Sequence, residues 1–332
     1  MEWLQIVWFF LIVLLLAGYS ILDGFDLGVG VLFPYLSRTD GDRRVLFNAI
    51  GPFWDGNEVW LITAGGALFA AFPPVYATVF SGFYLALMLV LFALIFRAVS
   101  LEFWSHDPRR RVIWNWAFVL GSFLPALLYG VALGNLIQGI PLDIRRDFSG
   151  DFFTLLRPFP LACGVLGLAA FALQGGTFTA LKSEGDLRER ARSAILFAGW
   201  VFLVLLLSTL VLGVVAVPDA ADRPLIWLFA AGTLILWHLT LRATRRGQDG
   251  RAFLLSSFVH IGLWALVATV MFPVLVRALG DPDLSLTVFN ASSSRLTLTV
   301  MLGIALVGMP LVVGYTIFAY RVFRGKVKPG IN

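Results

Sequence analysis

Gly51-Pro-Phe-Trp-Asp-Gly-Asn-Glu-Val-Trp-Leu-Ile-Thr-Ala-Gly-Gly-Ala-Leu-Phe-Ala-Ala-Phe-Pro73 is long and apolar enough to cross a membrane, yet Asp55, Asn57 and Glu58 stand near its start. An ionisable side chain inside a bilayer is costly, so it is rarely there without a partner or a task. The surrounding chain gives this stretch its setting. It has 332 residues, of which 59% are hydrophobic and 14% charged, and its mean hydropathy is +0.87. Apolar runs recur from end to end, and no polar stretch is long enough for a separate soluble domain. This is the composition of an all-α polytopic membrane protein, read as a single transmembrane domain over residues 1–332.

Counting runs of about 20 apolar residues predicts nine transmembrane helices. They cover roughly 3–35, 49–72, 75–99, 113–138, 157–181, 193–217, 224–242, 252–279 and 296–322. Pro52 suits the first turn of the second span, and Pro73-Pro74 separates the second from the third. The basic residues set the direction. Arg38, Arg43 and Arg44 follow the first span, Arg97 and Arg109 to Arg111 the third, and Lys182, Arg188, Arg190 and Arg192 the fifth. Arg242, Arg245, Arg246 and Arg251 follow the seventh, and Arg321, Arg324, Lys326 and Lys328 the last. The opposite side holds only Arg145, Arg146, Arg157, Arg223, Arg277 and Arg295. By the positive-inside rule the N-terminus lies outside and the C-terminus in the cytoplasm. The pI near 9.7 is thus a membrane signature, and no nucleic-acid partner is expected. No basic n-region precedes the first span, so it is expected to be retained.

The first span ends Leu22-Asp-Gly-Phe-Asp-Leu-Gly-Val-Gly30. Asp23 and Asp26 share a helix face if the helix continues, and Gly24 and Gly28 permit close approach of a neighbouring helix. Topology brings Asp23, Asp26, Asp55, Glu58, Arg97 and Glu102 to one depth, toward the cytoplasm. Two readings fit. The carboxylates form ion pairs that hold helices together, Arg97 pairing with Asp23 or Asp55, or they form a proton entry funnel from the cytoplasm. On the outer side, Asn135, Gln138, the loop Asp143 to Asp151, and Asn290 to Arg295 read as interface and capping residues.

Several chemistries are excluded. The lone Cys163 supports neither a disulfide within the chain nor a thiolate cluster. His106, His238 and His260 form no metal or haem motif, so no metal or haem is expected on this chain. P-loops, nucleophile elbows and zinc motifs are missing. The residues alone leave a proton-coupled transporter and a proton-moving subunit of a redox complex as alternatives.

Longer motifs carry a resemblance. Asp23-Gly-Phe-Asp-Leu-Gly-Val-Gly30, Trp54-Asp-Gly-Asn-Glu-Val-Trp60 with its continuation to Pro73, Phe80-Ser-Gly-Phe-Tyr84 and Phe96-Arg97 closely resemble subunit II of the cytochrome bd-type ubiquinol oxidases. So do Gly134-Asn-Leu-Ile-Gln-Gly139, Gln174-Gly-Gly-Thr177 and Ala291-Ser-Ser-Ser-Arg-Leu-Thr-Leu-Thr299, in order along essentially the whole chain. The chain resembles the short members of that family, a feature of its cyanide-insensitive branch.

The resemblance implies two four-helix bundles plus one peripheral helix, in the bacterial cytoplasmic (inner) membrane. It implies a heterodimer with a subunit I that carries two b-type haems and one d-type haem. The complex would oxidise quinol and reduce dioxygen to water, electrogenically, with protons taken from the cytoplasm. No catalytic residue is expected in this chain. By the same resemblance Asp23 or Asp26, and Asp55, supply part of the proton path, with Asn57 and Glu58 beside them. Some members carry Gln where Glu58 stands, so this carboxylate is not essential to the family mechanism. Trp54, Arg97 and Glu102 would tune the charges or hold the structure. The resemblance leaves room for a structural quinone in subunit II and for small accessory subunits. A purely structural partner of subunit I is the alternative within the same family.

Overall fold

The computed structural model describes residues 1–327, so Lys328, counted above among the inner basic residues, lies outside the described residues. Twelve α-helices follow in order: α1 (Glu2–Leu36), α2 (Asp40–Ile50), α3 (Trp54–Ala71), α4 (Pro73–Gly82), α5 (Tyr84–His106), α6 (Arg111–Gln138), α7 (Pro158–Lys182), α8 (Gly185–Ala216), α9 (Pro218–Ala221), α10 (Pro224–Arg245), α11 (Asp249–Met271) and α12 (Arg295–Val322). Between α11 and α12 a short antiparallel pair forms, β1 (Val274–Val276) with β2 (Leu286–Thr287).

Among the described residues eight helices are long and apolar enough to cross a membrane: α1, α5, α6, α7, α8, α10, α11 and α12. The 18-residue α3 does not join them, because Asp55, Asn57 and Glu58 crowd its first turns.

Three expected boundaries are corrected. The second span does not begin at 49. The chain turns through Gly51 to Phe53, and Pro52 lies in that turn rather than in the first turn of α3. Ahead of it α2 is set by a capping box, with the Thr39 hydroxyl accepting from Asp42 N–H and the Asp42 carboxylate from Thr39 N–H. The third span is two helices, α4 and α5, broken at Phe83. The eighth stops at Met271 rather than 279, because Pro273 ends the helix and the chain enters β1.

Helix α1 runs through the centre and packs on α3, α6, α7 and α11. Its approach to α7 is backbone on backbone. A Cβ at Gly28 would lie 1.8 Å from Phe171 O, and one at Gly175 would lie 2.2 Å from Gly28 C. Glycine permits what any side chain would block, so the Gly24/Gly28 pair and Gln174-Gly-Gly-Thr177 are two halves of one contact. The ends of α1 are held by separate apolar cores. One gathers Phe25, Phe33, Phe118 and Phe178, the other Leu4, Trp8, Phe72 and Val276. In contrast, only 6% of the spanning window of α12 is buried.

Candidate functional site

Because α1 continues unbroken to Leu36, Asp23 and Asp26 fall on one face, and both are fully buried. Three other helices bring partners to them. Asn57 of α3 donates through Nδ2 to Asp26 Oδ2 at 2.8 Å and to Leu22 O at 3.2 Å. Arg97 of α5, fully buried, donates through Nη2 to Asp23 Oδ1 at 2.7 Å and to Glu58 Oε1 at 2.6 Å. From α12 the Tyr320 hydroxyl donates to Asn57 Oδ1 at 3.5 Å. Arg97 reaches this place because α5 and α6 meet closely: a Cβ on Gly121 would lie 2.5 Å from Ala93 O and 2.7 Å from Arg97 N.

Charge in the cluster does not balance. Three carboxyl groups face one guanidinium. Among the described residues the side chain of Asp26 is bonded by the neutral Asn57 amide alone, and Asp23 Oδ2, Asp26 Oδ1, Arg97 Nε and Arg97 Nη1 have no protein partner. Buried polar atoms of this kind are normally satisfied by ordered water.

Asp55 and Glu102 do not join the cluster. Asp55 is exposed and accepts from Gly56 N–H at 2.7 Å. It lies two residues before the buried Asn57, about 200° round the helix, so the two cannot point the same way. Glu102 follows Arg97 by five residues and is exposed too. Trp54 is half-buried at the start of α3. Shared depth was legible in the sequence; direction round each helix was not. The pair offered for Arg97, Asp23 or Asp55, resolves to Asp23, with Glu58 as a second carboxylate.

Sequence reasoning missed Tyr320, which reaches the site from the far end of the chain. It also missed a buried polar chain behind α1. The Ser256 hydroxyl donates to Gln174 Oε1 at 2.6 Å, and Gln174 Nε2 donates to Ser257 Oγ at 2.9 Å and Ile21 O at 3.3 Å. The signal present was Gln174 itself, a large polar residue within an apolar span. Nearby, an apolar cavity of about 340 Å³ lies among α1, α6, α7, α8, α10 and α11. Tyr19, Tyr129, Thr209 and His260 line it, each with a side-chain polar atom that has no hydrogen-bond partner among the described residues. His260 Nδ1 lies 3.0 Å from Ser256 O, and its ring stacks on Phe171. Among the described residues no group of three or more His, Cys, Asp or Glu could hold a metal ion.

Several of the outer polar residues read as interface and capping groups make hydrogen bonds of that kind. Asn135 Nδ2 donates to Val131 O and Leu155 O, and Arg157 donates to Asn135 Oδ1 and Gly139 O. Ser294 caps α12, and Ser293 ties it to the end of α3 through Ala70 O.

The family model for cytochrome bd terminal oxidase subunit II matches residues 4–323. The chain belongs to that family. Subunit 2 of the cytochrome bd-I ubiquinol oxidase of Escherichia coli is 37% identical, over 98% of this chain and 96% of that one. Subunit 2 of the cytochrome bd ubiquinol oxidase of Bacillus subtilis is 35% identical, over 97% and 96%. The fold matches a chain of the bd oxidase of Geobacillus thermodenitrificans with a TM-score of 0.81 at 16% identity, over 97% of this chain and 99% of that one. This subunit II chain is therefore a multi-pass membrane component of a respiratory oxidase. In it Asp23, Asp26, Asn57 and Arg97 are buried together, with the partly exposed Glu58 beside them.

Proposed function

We propose that this subunit II chain pairs with a haem-bearing subunit I in the bacterial inner membrane and conducts protons toward the site of dioxygen reduction. In this reading α3 is the ninth span, the N-terminus is outside and the C-terminus is cytoplasmic. The helices form two four-helix bundles and a peripheral helix within one transmembrane domain. The two b-type haems and the d-type haem sit in subunit I, which also oxidises the quinol.

The observation that carries the proposal is the surplus of carboxyl groups over cations in a site where Asp23, Asp26 and Arg97 are fully buried and Glu58 is partly so. Burying unpaired charge is costly. Asp26, whose one side-chain partner is a neutral amide, is thus the group suited to hold a proton and release it. Asn57 bridges Asp26 to Tyr320, and the unpartnered atoms of Asp23, Asp26 and Arg97 suit a bound water. Arg97 fixes Asp23 and Glu58 through its two ion pairs. Asp55, exposed on the same helix as Asn57, stands where a partner chain would take the proton onward.

The test is the Asp55→Asn variant of the assembled complex. Normal haem content with slowed oxygen reduction supports conduction through Asp55. Full turnover, or equal loss of haem and activity, supports the second reading, in which subunit II only stabilises subunit I. That reading draws on the Arg97 pairs, which join α1, α3 and α5. Family membership takes the place of the proton-coupled transporter.

A structural quinone, where this complex holds one, fits the cavity of Tyr19, Tyr129, Thr209 and His260. Its walls are apolar, and its unpartnered hydroxyls and imidazole suit carbonyl oxygens.

A further inference from the structure

The last turn of α10 and the residue after it contribute Arg242, Arg245 and Arg246 to the basic side of the membrane. Several other inner arginines are paired with carboxylates. Arg43 and Arg111 pair with Asp40, Arg190 with Asp42, and Arg188 and Arg192 with Asp249. Among the described residues no carboxylate pairs with Arg242, Arg245 or Arg246. All three are exposed, and they line a cavity of about 430 Å³ between α8 and α10, together with Trp200, Trp237, His238 and Leu241. No acidic residue lines it.

The walls are built. Trp237 is buried, donates through Nε1 to Gly199 O at 2.6 Å and meets the Trp200 ring edge-on at 5.3 Å. His238, Arg242 and Arg245 recur at helical spacing, so they share one face of α10. Trp200 belongs to an exposed apolar stripe of α8, with Phe197 and Val204 on the same face. The groove thus has a cationic end at the helix terminus and an apolar run leading away from it along the span.

We propose that this groove holds an anionic phospholipid, its phosphodiester on Arg242, Arg245 and Arg246 and its acyl chains along Phe197, Trp200 and Val204. Guanidinium forks match phosphate oxygens, and tryptophan suits the level where headgroup meets acyl chain. Basic pockets between spans at this level are the sites anionic headgroups use. A free phosphate would use the arginines but not the apolar stripe, which is why the lipid is the occupant.

The experiment is native mass spectrometry of the purified complex of both subunits, delipidated and then titrated with phosphatidylglycerol or phosphatidylcholine. The wild type retains phosphatidylglycerol in preference, and the triple variant Arg242→Gln, Arg245→Gln, Arg246→Gln binds it roughly tenfold more weakly or worse. The Arg109→Gln, Arg110→Gln control, at an exposed inner loop, stays like the wild type. Equal retention by the triple variant, or equal loss in the control, overturns the proposal. So does displacement of the lipid by inorganic phosphate at matched concentration, which would mark an anion site only. Should the triple variant fail to assemble, photoactivatable phosphatidylglycerol on the wild-type complex decides. Labelling of α8 and α10 near Trp200 and residues 237–246 supports the site, and labelling confined to other segments overturns it.

Discussion

At the scale of single residues, the account turns on Arg97. Its guanidinium pairs with both Asp23 and Glu58 and ties α1, α3 and α5 together. A buried ion pair adds little net stability, but removing one partner leaves the other charge stranded at a cost of about 3–5 kcal/mol. Arg97→Gln is therefore expected to lower the yield of assembled, haem-containing complex sharply, read as the b- and d-type absorption per milligram of membrane protein. Glu58→Gln should be far milder, because Asp23 keeps its partner and the amide oxygen can still accept from Arg97. The residue types in this cluster were plain in the sequence, since a carboxylate in an apolar span draws attention by itself. Which of them touch was not, because depth follows from counting along a span whereas contact depends on rotation about each helix axis. Asp55 and Asn57, two positions apart, went to opposite faces for that reason.

The helices make the site possible by coming close together. Gly28 and Gly175 let α1 and α7 touch backbone to backbone, and Gly121 does the same for α6 against α5, beside Arg97. Gly28→Ala is expected to destabilise by about 1–3 kcal/mol through overpacking, lowering the thermal midpoint of the complex, whereas Gly232→Ala, with open space around its Cα, should leave it unchanged. The short α2 gives a pH-dependent element outside the spans. Partial burial pushes the Asp42 carboxyl up, but bonds from Thr39 and the Arg190 guanidinium outweigh this and hold it below the ordinary carboxylate range. Stability from a carboxyl lowered in the folded state is present above its unfolded pKa and is lost as pH falls through the folded one. Protection of α2 amides in hydrogen exchange should therefore fall below about pH 4, and Asp42→Asn should remove about 1 kcal/mol at neutral pH. Eight of the span positions were readable from hydropathy, but the breaks at Phe83 and after Met271 were not. The break at Phe83 lies inside an apolar run, where composition does not change as the backbone turns, whereas Pro273 was the helix-ending signal inside a run read through to 279.

For the whole molecule, the distribution of exposed charge is informative. Asp55 on α3 and Glu102 on α5 are exposed among apolar neighbours such as Ile62 and Phe103. Charged groups at such depth do not face lipid, so this side is expected to lie against subunit I. In a Cys163→Ser background, Ile62→Cys in the complex should react slowly with a lipid-soluble maleimide, while Val215→Cys on α8 reacts readily. Equal labelling would place the interface elsewhere. The family itself was legible from the ordered motifs, because the Trp54 to Pro73 stretch combines polar and apolar residues in a pattern that hydropathy alone does not demand.

The most direct measurement is proton uptake during oxygen reduction by the reconstituted complex carrying Asp26→Asn. If the buried carboxyl cluster conducts protons, haem content and spectrum stay normal while uptake and turnover slow by about a hundredfold. Wild-type uptake and turnover in that variant would contradict the account and leave the cluster as a tie between helices.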